Sequence, residues 1–215
     1  MKSAFLFVTA VAMAAPAGLP VRSGPDAYAA HGEDHGVTIA AEPMSALDVR
    51  NSFSTDLRNY LVVEVGVWPG NLKVLDLSAI DFSLRTGGDR GRSPVRPVAA
   101  RSIASINQKR SASRRDDIVL YPTVGMTTGT WGTGTNVGVG IGTGGNQPGP
   151  ASTDRDRSTM EAELSDKALP ETAVSKPVGG YLFFPLSITN KRVGTYEIEY
   201  QLDDVHVRLT VPAPK

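Results

Sequence analysis

The chain has 215 residues and a mass of 22.8 kDa, enough for one domain with appended segments. Twenty-two basic residues balance twenty-two acidic ones, so the whole chain has no electrostatic bias toward nucleic acid. The lack of cysteine excludes disulfides, thiolate nucleophiles, cysteine-ligated zinc, iron–sulfur clusters and a diacylglycerol-linked anchor, and 22 Gly with 15 Pro are many for a compact enzyme.

In chain order, Lys2 is the one charge before a short apolar stretch, Ala4 to Ala15. That stretch has the length of a signal-peptide core and falls short of the roughly 20 residues of a membrane span. Small-x-small cleavage motifs follow at Ala12–Ala14, Ala15–Ala17 and Ala27–Ala29. The third is the expected site, giving a signal peptide over 1–29 and a flexible segment over 30–36. No later stretch is long and apolar enough for a transmembrane helix. The expectation is an exported protein, periplasmic or extracellular, soluble or peripherally attached.

The body reads as β. Residues 37–42 begin a strand, and Tyr60 to Trp68 is the clearest one, rich in β-branched residues and closed by Pro69-Gly70-Asn71. Phe82 and Leu84 alternate with polar neighbours before the glycines at 87 and 88. Gly179-Gly180 precedes the apolar Tyr181 to Pro185. Tyr196, Ile198 and Tyr200 share one face of a strand, with Glu197 and Glu199 on the other. Val205, Val207, Leu209 and Val211 point inward from a last strand, with His206 and Arg208 outward. These two strands form a hairpin about Leu202-Asp203-Asp204. Helical signal is confined to Pro97–Gln108 and to a capping box, Ser158-Thr-Met-Glu161.

The strand Leu61 to Val67, the Asp-Phe-x-Leu run at 81–84, Lys167 to Glu171, Gly180 to Pro185 and the closing Tyr-x-x-x-Tyr hairpin resemble the immunoglobulin-like domains of bacterial secreted proteins and lipoproteins. That resemblance implies an extracytoplasmic, mainly β chain, an antiparallel immunoglobulin-like β-sandwich; it brings no catalytic residues. The sandwich is expected over 37–88 plus 164–215. A long, partly disordered glycine-rich insertion over 89–163 separates its halves.

The insertion holds two candidate contact surfaces and a polar linker. From Arg85 to Arg115 nine basic residues face one acid, Asp89, a local charge of +8. Arg90, Arg92, Arg96, Arg101, Arg110, Arg114 and Arg115 are its candidates for an anionic surface, a lipid headgroup or a glycan. No aromatic interleaves the run, so single-stranded nucleic acid is not expected. The second surface is glycine-rich, Val137 to Gly144, where strict alternation would put every glycine on one face of a strand. Trp131, Val137, Val139 and Ile141 are its candidates for docking an envelope protein or a second copy. A mobile surface loop is the alternative.

Chemistry-bearing groups are few. His31, Glu33, Asp34 and His35 offer two imidazoles and two carboxylates within five residues, a set suited to a divalent metal. Cleavage after Ala29 would add a free amine beside them. His206 lacks a Gly-x-Ser-x-Gly elbow to serve. The expected function is therefore a non-enzymatic envelope binding or structural module without a cofactor. A periplasmic metal-binding protein and a hydrolase with an unrecognised site are the alternatives.

Overall fold

A computed structural model describes residues 18–72, 74–86, 93–113, 121–129, 132–140, 154–186 and 193–214, with backbone alone over 111–113, 121–129 and 132–140. The fold is mainly antiparallel β. Two compact units divide the chain. The first takes the chain up to Phe53, Leu57–Val98 and residues from Ser165 onward; the second takes Ser54–Asp56 and Ala99–Leu164.

In the first unit, β1 (Ala30–Asp34), β2 (Val37–Pro43), β3 (Tyr60–Trp68), β4 (Leu75–Leu77) and β5 (Phe82–Thr86) precede the insertion. β8 (Thr172–Val174), β9 (Val178–Pro185), β10 (Thr195–Leu202) and β11 (Val205–Pro212) follow it. A four-stranded sheet has the order β1-β2-β3-β9 and a three-stranded sheet the order β11-β10-β5. β3 pairs with β9 and β5 with β10, so strands from both sides of the insertion close each sheet.

Both sheets feed one core. Val37, Ile39, Val63, Val65, Val67, Leu182 and Phe184 enter from the first, and Phe82, Leu84, Ile198, Tyr200, Val207, Leu209 and Val211 from the second. The two sheets write different sequence patterns. β11 alternates strictly between buried and exposed because one face packs and the other is wet. β3 is buried at six of its nine positions, with Tyr60, Glu64 and Trp68 half-buried, because its second face is also partly covered. Val62 and Phe183 lie on that face, and the rings of Phe53 and Phe183 meet edge-on at 5.8 Å between centroids.

Residues 18–29 belong to this unit, so the expected signal-peptide boundary at residue 29 falls inside it. Leu19 bridges Gly179 on the outer edge of β9 through hydrogen bonds of 2.8 and 3.1 Å. Tyr28 is buried and packs edge-on against Trp68 at 5.9 Å. The segment 30–36, expected to be flexible, is instead β1 and the turn into β2. His35 and Gly36 hold the positive φ angles, 48° and 79°, that a tight hairpin turn requires.

α1 (Ala46–Ser52) had no counterpart in the sequence reading; Ser45 caps it, accepting from the Asp48 N–H at 3.1 Å. The second unit contains α2 (Ala100–Ser113), the hairpin β6 (Tyr121–Gly129) and β7 (Gly132–Gly140), and α3 from Asp154 to Leu164; α3 itself ends at Lys167. α3 starts four residues before the capping box read at Ser158, whose hydroxyl donates to the Asp154 carbonyl inside the helix. Glu163 ties Ser54 and Thr55 to α3, accepting from both backbone N–H groups and both hydroxyls at 2.7–3.1 Å.

Candidate functional site

The outward face of the three-stranded sheet carries the site, and the hairpin register builds it. A two-residue turn at Asp203-Asp204 sets Glu199 opposite Arg208 and Gln201 opposite His206. On the other side of β10, Glu199 faces Ser83 and Glu197 faces Arg85. Three strands thus bring side chains distant in sequence into adjacent rows.

Glu199 is the hub. Its Oε1 contacts His206 Nε2 at 2.5 Å and accepts from Arg208 Nη2 at 3.1 Å, while Arg85 Nε lies 3.8 Å from Oε2. The Glu199 side chain is only 15% exposed. Burial alone would push its carboxyl up, but the hydrogen bonds from His206 and Arg208 outweigh burial and hold it below the usual carboxylate range.

Beside this hub lies a groove of about 480 Å³, lined by Asp81, Ser83, Arg85, Pro94, Arg96, Glu199, Gln201, Leu202 and Asp203. Val95 bridges Leu84 on the outer edge of β5 and so carries Arg96 to the groove. Arg96 is anchored there by donating to the Ile80 carbonyl. Burial pushes the Asp81 carboxyl above the usual carboxylate range, with Asp203 and Glu171 adding to the rise and the Ser78 N–H and Arg96 opposing it. Ile80 and Val95 add exposed apolar surface, 61% and 37% accessible. Behind the groove, Tyr200 packs on Phe82 at 4.8 Å between centroids, and its hydroxyl is buried without a hydrogen-bond partner.

The sequence candidates scatter. Arg96 lies in this groove, whereas Arg101 and Arg110 are exposed on α2 in the second unit. Val137 and Val139 lie in β7, opposite Val124 and Pro122 of β6. Arg90, Arg92, Arg114, Arg115, Trp131 and Ile141 lie outside the described residues. The metal candidates are spread along the β1 hairpin. His31 Nε2 stands 3.4 Å from Asp26 Oδ1, Asp34 accepts from the His206 backbone N–H at 2.7 Å, Glu33 is exposed, and His35 occupies the turn. Among the described residues no three His, Asp or Glu side chains group to hold a metal ion.

Glu199 and Asp81 escaped the sequence reading as site residues. One signal for Glu199 was available: a turn at 203–204 fixes the Glu199–Arg208 pair by counting outward. Nothing local in the sequence marks Asp81, whose neighbours come from residues 94–96 and 199–203. No helix among the described residues is long and apolar enough to cross a membrane. No family model, no curated protein and no solved structure matches the chain.

Proposed function

We propose that this is an exported, non-enzymatic envelope protein, an immunoglobulin-like β-sandwich that binds a segment of another envelope protein in the groove on the outward face of β5 and β10, beside Pro94 and Arg96. The observation that supports this reading is the groove's mixed lining. Two guanidinium groups, three carboxyl groups, Ser83 and Gln201 line it, with exposed Ile80 and Val95 nearby. A purely anionic lipid or glycan surface would meet Asp81, Glu199 and Asp203 as like charges. A polypeptide offers charges of both signs, backbone hydrogen-bonding groups and apolar side chains together.

Catalysis is the second reading, and one observation favours it. The same groove holds one carboxyl pushed up, Asp81, and one pulled down, Glu199, the division that separates a general acid from a base. Glu199, however, spends Oε1 on both Arg208 and His206 and has Arg85 Nε 3.8 Å from Oε2, which suits an electrostatic anchor better than a proton acceptor.

The test is a photo-crosslinkable residue in place of exposed Ile80, irradiated with isolated envelope fractions. Binding predicts one enriched protein, lost in the double variant Arg85→Ala, Arg96→Ala and not competed by anionic lipid vesicles. Equal capture with both arginines removed, or full competition by the vesicles, would contradict it.

A further inference from the structure

The segment before β1 covers the four-stranded sheet's second face. Arg22 forks onto Glu64, with Nε 3.0 Å from Oε1 and Nη2 2.6 Å from Oε2. Its Nη1 donates to Glu42 and, at 2.7 Å, to the Ala27 carbonyl. Every guanidinium nitrogen is engaged, and the group also stacks 4.6 Å above the Tyr28 ring. Glu42 and Glu64 sit opposite one another on β2 and β3. One arginine thus bridges a cross-strand pair of like charges and offsets one of the two.

The packing around this clasp is cut to fit. A Cβ on Gly66 would meet Trp68 ring atoms at 2.6 Å and the Tyr28 hydroxyl at 2.9 Å. At the start of the segment, Gly18 has φ +48°, and a Cβ there would meet Pro170 at 2.7 Å and the Gly179 carbonyl at 2.9 Å. Leu19 then occupies the Gly179 position on the edge of β9, whose Tyr181 and Phe183 carbonyls accept from Leu169 and Val98.

We infer that residues 18–29 stay in the mature protein as a clasp, and that the leader is removed upstream of Gly18, after Ala14 or Ala17. The inference rests on the export reading above. The step is hydrolysis by a leader peptidase of the exporting cell: water gives hydroxyl to the new alanine carboxyl and a proton to the new amine. Cleavage after Ala29 would instead strip Arg22 from Glu42 and Glu64, uncover Trp68 and free the β9 edge at Gly179. It would also create the free amine that could join His31–His35 in the metal reading; retention of the clasp removes that extra ligand.

The experiment is expression of the full chain in an exporting bacterium, followed by intact mass and N-terminal sequencing of the extracytoplasmic fraction. A chain beginning at Ala15 or Gly18 is the expected result. One beginning at Ala30 overturns the clasp while leaving export standing. A chain that keeps Met1 overturns the export reading and the inference together. The variant Ala29→Leu, at an exposed position outside the clasp's contacts, is expected to be processed identically. A shifted or blocked cleavage in that variant counts against the inference.

Discussion

The two larger sheets of the first unit each carry an arginine–glutamate cluster on the face turned away from the core, and the clusters differ in what lies over them. On the four-stranded sheet, Arg22 reaches Glu42 and Glu64 from a covering segment, with Tyr28 buried against Trp68. On the three-stranded sheet, Arg208, His206 and Arg85 surround Glu199 from the sheet's own strands, and a groove opens beside them. The same chemistry is under chain on one sheet and left open beside a groove on the other, where the recognition proposed above would use it. Both hub carboxylates are shielded, Glu64 at 17% and Glu199 at 15% exposed, so stranding either one is costly. The cations are what differ: Arg208 is 59% and His206 46% exposed, against 33% for Arg22.

The largest expected effect breaks the covered cluster. Arg22→Ala leaves Glu42 and Glu64 facing each other beneath the remaining segment. Because the Arg22 side chain is 33% exposed, the loss should sit below that of a fully buried pair, about 2–3 kcal/mol by urea denaturation. An unchanged midpoint would show that the segment does not cover this face in solution.

The open cluster shows itself through pH. Glu199 is held below its ordinary value of 4.5, so its charged form stabilises the fold. That contribution is complete above the unfolded value and is lost as pH falls through the lower, folded one. Glu199→Gln should therefore lose stability at pH 7 and show a flatter acid limb than the parent below about pH 4.5. Parallel acid limbs would contradict the hub role.

A smaller effect runs the other way. The buried Tyr200 hydroxyl lacks a partner, so Tyr200→Phe should leave stability equal or raise it by up to about 1 kcal/mol. A clear loss would mean that this hydroxyl is satisfied and the region behind the groove differently packed. Smallest of all, the exposed Arg96 with the half-exposed Arg85 should matter little to folding. The double variant to alanine is expected within about 0.5 kcal/mol of the parent in thermal unfolding.

Legibility in the sequence followed how local each cause is. The β10–β11 hairpin could be read residue by residue, because alternation and a two-residue turn are local properties. β3 could be read because a strand covered on both faces is a largely apolar, β-branched run, broken here only by Glu64 and Gly66. β1 could not: Ala-His-Gly-Glu-Asp has no apolar alternation, and its pairing comes from β2 and the glycine turn. Residues 18–29 were harder still, since glycines, prolines and a small-x-small motif imitate a cleavage region. What makes the segment structural is Glu64, forty-two residues beyond Arg22. α1 left one signal that went unread, Ser45 three residues before Asp48. The site was the least legible part, because the groove joins residues from 81 to 203 and only the fold brings them together.

The most direct measurement takes Arg22→Ala and the double variant Arg85→Ala, Arg96→Ala through the same two assays, thermal unfolding and cross-linking from position 80. The account predicts a crossover. Arg22→Ala melts earlier yet, below its melting range, captures the partner with the parent's yield; the double variant melts with the parent and captures nothing. Both variants moving together in both assays would contradict the claim that the two faces do different work.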